Sequence, residues 1–310
     1  MIEKFNFYDV YGYFVPGAAF LAILWIPFGL VSHKWPSSTW TDAIIVVVLA
    51  YIVGHLLQSI ATNAIPSWEI KTPTGNNRYP SEIYLDPGDK ELPENSKKQV
   101  QELIKKQFNL ELQVDKPGDD AIDEIRHNAF LLARHVLIQG KAASYAEQSQ
   151  GMYALTRGLV SAFALACTYW LGWGIAAVMK SRSAVSTAIV VLAASLLILA
   201  NISFTLLRRS SAPLKERRIR RRRIELGYAA VLVVALFTIG YALGMHVSVT
   251  VRQGALLAFL STCAFIVCLR AYGAYKSFAG QFAATVWRGY LAYSVAGATS
   301  QDRAADADRR

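Results

Sequence analysis

The chain has 310 residues, 54% hydrophobic and only 17% charged, with a net charge of +10. Soluble domains carry about 25% charged residues, so an ordinary water-soluble globule is excluded. Cys167, Cys263 and Cys268 lie in apolar runs without metal-ligand spacing, which excludes a disulfide framework and a cysteine-built zinc site.

Six stretches free of Asp, Glu, Lys and Arg recur along the chain: 10–33, 43–68, 158–179, 183–207, 226–251 and 253–269. Apolar runs of this length are solvated by lipid, and a backbone in lipid must satisfy its own hydrogen bonds. The fold class expected is therefore an all-α polytopic membrane protein, with six transmembrane helices and a small, mainly helical cytoplasmic insertion.

The N-terminal hairpin occupies 1–69, with spans at about 12–33 and 43–63. Its leader carries Glu3, Lys4 and Asp9, and the first apolar run is too long for a signal-peptide core, so this helix is expected to remain as an anchor. Phe5, Phe7, Tyr8, Tyr11 and Tyr13 suit an aromatic belt at the inner interface. Gly12, Pro16, Gly17, Pro27 and Gly29 predict a bent helix. A tight turn at 33–42, with Pro36 between Trp35 and Trp40, leads into span two. That span ends in His55, Gln58 and Ser59, which share a helical face at i, i+3 and i+4. They form a candidate intramembrane polar face, either a packing contact through hydrogen bonds or a functional site.

Residues 70–152 change character and form the insertion. Pro73, Pro80, Pro87 and Pro93 predict loop or short strand over 71–95. A helix over 97–108, capped by Asn95 or Ser96, would bury Val100, Leu103, Ile104 and Phe108. A short strand is expected at 111–114. A second helix over 121–139 presents Ile122, Ile125, Ala129, Leu132, Ala133 and Val136. So small a domain buries little core alone and is expected to pack on the bundle or on a second copy. Asp120, Glu124 and His127 fall on one face of that helix, with Asp123 one turn from His127. This is a metal-ligand or acid/base candidate, set against the simpler role of acids that cap and complement a helix N-terminus.

Residues 153–207 hold spans three and four, and 208–225 form a polybasic loop. There Arg217, Arg218, Arg220, Arg221, Arg222 and Arg223 are expected to hold anionic headgroups, at about 1 kcal/mol each, or another anionic ligand. Nucleic acid is not expected as a partner, because no aromatic residues interleave the arginines. Spans five and six occupy 226–272, and the last span crosses if Arg252 and Arg270 snorkel outward. An interfacial helix over 273–299 and a disordered tail over 300–310 complete the expectation.

With the N-terminus inside, every basic residue except Lys34, Lys180, Arg182 and Arg252 lies on the cytoplasmic side. The positive-inside rule therefore places both termini, the insertion and the arginine run in the cytoplasm, with the bundle in the inner (plasma) membrane. No Gly-rich phosphate loop, Gly-x-Ser-x-Gly, His-Glu-x-x-His or Cys-x-x-Cys motif occurs, so an enzyme and a cofactor are not expected. The layout of helical hairpin, small cytoplasmic domain and further spans resembles membrane effectors of bacterial stress and phage-defence systems, through architecture rather than motif. The resemblance implies an oligomeric membrane-embedded signalling or effector protein. Its cytoplasmic domain would sense a ligand or protein partner, and its bundle would permeabilise the membrane. The alternative is a small-solute or ion transporter or channel.

Overall fold

The computed structural model describes residues 7–32, 39–65, 78–181 and 250–307. All regular structure among them is helical. The helices are α1 (Phe7–Asp9), a π turn (Val10–Phe14) running into α2 (Val15–Ser32), α3 (Trp40–Ala64), α4 (Pro80–Ile83), α5 (Glu94–Phe108), α6 (Asp120–Gln139), α7 (Ser144–Ser181) and α8 (Val251–Ala307). Four helical stretches among the described residues are long and apolar enough to cross a membrane: Val10–Val31, Asp42–Thr62, Ser144–Ala177 and Arg252–Ala296. They match expected spans one, two, three and six. Expected spans four and five, and the arginine run with Arg217 to Arg223, lie outside the described residues.

The chain divides into two compact units, Met1–Pro66 with Ala154–Tyr275, and Ser67–Tyr153 with Lys276–Arg310. In the first, α2 and α3 approach at backbone distance. A Cβ added at Gly17 would stand 1.8 Å from the Ala50 carbonyl oxygen, and one at Gly54 would stand 1.8 Å from that of Tyr13. Only glycine permits this crossing, the small-residue mode by which helices associate in lipid, where hydrophobic drive between them is absent. A second cluster joins Ile23 of α2, Ala166, Trp170 and Trp173 of α7, and Leu257 and Ala264 of α8. The α7–α8 crossing is pinned reciprocally: Ser261 Oγ donates to the Cys167 carbonyl at 2.8 Å, and Cys167 Sγ to the Ser261 carbonyl at 3.4 Å. On α3 the side chains of Ile44, Ile45, Val46, Val47, Val48 and Leu49 all stand exposed, a surface that suits lipid and not water.

The second unit is built on an apolar core of its own. Val100 and Ile104 of α5 pack with Ala129, Phe130, Ala133 and Leu137 of α6, and with Ala283, Val286, Trp287 and Tyr290 of α8. The four α8 residues recur at i, i+3, i+4 and i+7, one helical face. Each fully buried Leu, Ile or Val here contributes about 1.5–3 kcal/mol. The two large polar aromatics satisfy their tips: Trp287 Nε1 donates to the Ser81 carbonyl at 2.9 Å, and Tyr290 Oη to Gln107 Oε1 at 2.8 Å.

Several expectations change. Residues 273–299 do not form a separate interfacial helix; they continue α8, and their apolar face is buried against α5 and α6. Helix α8 also extends through Ala307, into the stretch expected to be disordered. No strand forms at 111–114. Leu112 and Val114 do turn inward, but no partner strand lies beside them among the described residues, and the carbonyls of Leu112 and Gln113 accept hydrogen bonds from an arginine instead. Helix α5 starts after Pro93 rather than at Asn95 or Ser96, and ends at the left-handed Asn109 (φ 56°), a residue type that tolerates that conformation. Among the described residues of the proline-rich lead-in one short helix forms, α4, with Pro80 at its first position, where the missing N–H is harmless.

Candidate functional site

In the first unit the polar side chains of span two separate. Gln58 is buried, whereas His55 and Ser59 are exposed on the same helix. The reason for burying an amide lies in α2. In α-helical register the Gly12 carbonyl would take its hydrogen bond from residue 16, but that residue is Pro16, which has no N–H, and Gly12 stands in the π turn that precedes α2. Gln58 Nε2 supplies the missing donor at 2.6 Å, gives its other proton to the Ala154 carbonyl at 2.6 Å, and Oε1 accepts from Arg157 Nε at 3.0 Å. The orientation of the amide is thereby determined, since the flipped form would face two carbonyls with an oxygen. The same logic recurs at Pro27. The carbonyl it leaves unpaired belongs to Ile23, and Trp170 Nε1 donates to it at 3.0 Å. His55 stacks on the Tyr13 ring at 3.7 Å between centroids, with Tyr51 edge-on at 4.7 Å. The expected three-residue polar face is therefore one structural amide, with two side chains directed elsewhere.

In the second unit the chemistry gathers around groups that were not singled out by motif. Arg126 is fully buried. Its Nε donates to the Leu112 carbonyl, Nη1 to Asp86 Oδ1 and the Glu82 carbonyl, and Nη2 to the carbonyls of Gln113 and Lys116. All five guanidinium N–H groups are thereby used. Gln113 holds φ at 47°, a conformation that costs about 1–3 kcal/mol for a non-glycine residue and here accompanies the carbonyl that faces Arg126. Asp86 also accepts two bonds from Arg78, and Oδ1 accepts from Gly118 N–H at 3.0 Å. Arg78 Nε reaches Asp123 Oδ2 at 2.5 Å. Lys97, also fully buried, places its three N–H groups on the Asp86 and Asp89 carbonyls and on Glu94 Oε1.

These contacts set the electrostatics. Burial by itself would raise the Asp86 carboxyl, but the Arg78 and Arg126 hydrogen bonds, with the Gly118 N–H, outweigh it and hold the group below the ordinary carboxylate value. Burial would lower Arg78, yet Asp86 and Asp123 hold it above its usual value. A carboxyl depressed in the folded state stabilises above its unfolded pKa and loses that contribution as pH falls through the folded value. Protection of the second unit against hydrogen exchange is therefore expected to be level from neutrality down to about pH 4, then to fall. Asp86→Asn should lower protection at pH 7 and reduce the acid-linked drop.

The weak metal candidate is not assembled. Asp119 caps α6 through hydrogen bonds to the N–H groups of Ala121 and Ile122. Asp120 and Glu124 are exposed, and His127 Nδ1 lies 3.5 Å from Glu82 Oε1. Among the described residues no group of three His, Cys, Asp or Glu is placed to hold a metal ion. Arg126 did carry a signal: it sits in register with Ile122, Ala129, Ala133 and Leu137, all buried. Lys97 likewise sits one turn before Val100. A charge on an apolar stripe marks a buried ion.

Among the described residues of this unit a half-open cleft of about 460 Å³ runs along α8, walled by Tyr84, Glu91 and Ser149. Comparison with protein-family models, with curated proteins and with solved structures finds nothing that matches this chain.

Proposed function

We propose that the protein is a membrane-embedded signalling or effector protein. Its second unit lies in the cytoplasm and senses a ligand or protein partner, and its helix bundle acts at the inner membrane by changing permeability. The observation that carries this reading is the division of polar chemistry. Within the described bundle, buried Gln58 and Trp170 are spent on the carbonyls that Pro16 and Pro27 leave unpaired, so these groups serve as helix glue and offer no stepping stones to a solute. The charged network and the cleft are instead in the second unit. The basic residues of 208–223 support a cytoplasmic placement and attraction to anionic headgroups. Homo-oligomers suit a bundle that must open a path larger than its own helices.

The test is dye and ion release from sealed proteoliposomes holding the full chain. Vesicles are expected to stay tight with protein alone and to leak on addition of soluble extract from stressed cells. Saturable, steady transport of one defined solute by protein alone would replace this reading with that of a transporter.

A further inference from the structure

We infer that α8 carries a hinge at Gly273 through which the state of the second unit reaches the helix bundle, an inference that rests on the second unit being the sensing part. Helix α8 runs unbroken from Val251 to Ala307, while the division between the two compact units falls within it, between Tyr275 and Lys276. A bend passed along α8 from one unit to the other is taken up by the turns at that division, and Gly273 stands there. Glycine is the least favourable residue after proline in a helix interior, because it loses the most backbone freedom on folding and leaves its peptide groups open to water. Close packing explains its use elsewhere in the fold. A Cβ added at Gly17, Gly54, Gly254 or Gly280 would stand 1.8, 1.8, 2.5 or 2.6 Å from a neighbouring atom. At Gly273 a Cβ would meet nothing within 4 Å. Among the described residues no neighbour requires glycine at this position, so what it supplies is compliance of the helix.

The surroundings give that compliance a direction. Leu269, Gly273, Lys276 and Ser277 are exposed and fall on one stripe of α8, the spacing of a single helical face. The opposite side is held. Ala271 and Tyr275 are buried, and the rings of Tyr272 and Tyr275 stack with centroids 6.3 Å apart. Carbonyls on the open side of a helix tilt outward to water and their hydrogen bonds lengthen, so the helix bends convex towards that side. A missing side chain at 273 opens those peptide groups further. The bonds concerned, by α-helical register, run from the Gly273 N–H to the Leu269 carbonyl and from the Ser277 N–H to the Gly273 carbonyl. They can loosen while Ala271 and Tyr275 stay packed, which separates a hinge from local unfolding.

The experiment uses the full chain with two readouts, hydrogen exchange in detergent and extract-triggered leakage from proteoliposomes. Gly273→Ala is expected to slow exchange of the 273–277 amides about fivefold, the difference in helix preference between the two residues, and to weaken leakage at least as much. The substitution favours the helix and meets open space, so loss of folding does not cloud the result. Moving the glycine by one residue, in Gly273→Ala with Ala274→Gly, should restore both readouts, because a hinge needs a glycine in this turn and not a bare position at 273. Exchange indifferent to Gly273→Ala overturns the inference. So does a double variant that stays as impaired as Gly273→Ala, since glycine would then be needed at 273 for the close approach of another helix. The failures separate: slowed exchange with leakage untouched overturns the hinge and leaves the effector reading standing. A wild-type chain that never leaks removes that reading, and the exchange arm with its rescue still decides the hinge.

Discussion

Replacing Arg126 with methionine is expected to unfold the second unit locally, lowering its stability by about 3–5 kcal/mol, the cost of removing one partner from a buried ion pair. The volume of the side chain is nearly kept, so a cavity is not the cause. What is lost is one of the two counter-charges of Asp86, which keeps Arg78, and the donors to four backbone carbonyls, those of Glu82, Leu112, Gln113 and Lys116. Each buried acceptor left unpaired carries its own desolvation penalty. Arg126→Lys should fare little better, since an ammonium has three donors on a point charge, where the site holds a planar fork with five. Limited proteolysis of the full chain in detergent reads the outcome: cleavage is expected to appear within 78–139 in the variant while α2 and α3 remain protected. Undiminished resistance in Arg126→Met would mean that the loops on this guanidinium are held by the apolar core alone.

Gln58→Leu is expected to destabilise the first unit by about 2–4 kcal/mol, because a buried polar group without a partner costs about 1–3 kcal/mol and three hydrogen bonds are lost together. The Gly12 and Ala154 carbonyls each lose the amide donor, and the Arg157 guanidinium loses an acceptor. The specific prediction is the double variant. Pro16→Ala restores an N–H four residues after Gly12, so Pro16→Ala with Gln58→Leu should recover at least half of the loss. Pro16→Ala alone should gain little, because Gln58 already satisfies that carbonyl. This non-additivity, read from thermal midpoints in detergent as a double-mutant cycle, distinguishes a proline-compensating amide from one that merely packs. Additive effects would rule the compensation out.

How much was legible in advance follows from the range of each interaction. The helices that the structure describes at 10–31 and 42–62, and the part of α7 within the apolar run 158–179, were readable because uninterrupted apolar length depends on neighbouring residues alone. Helix α6 was readable for the same reason, expected over 121–139 and observed over Asp120–Gln139. Its buried face was misjudged by a fraction of a turn. Arg126 and Phe130 occupy the stripe that Ile125 and Leu132 were expected to fill, because a guanidinium with five partners becomes a core residue only when the loop 112–116 folds around it.

The sequence by itself determined that this is a helical chain with helices built for lipid, where the prolines fall, and that polar chemistry collects in the insertion. Only the tertiary structure decided that residues 283–290, far along the chain, complete the core of that insertion, and that Gln58 and Trp170 answer the prolines of a different helix. The physical reason is common to both. Periodicity along a chain reveals that a face or a carbonyl needs a partner, but the partner is chosen by packing between segments, and nothing local in the sequence encodes that choice.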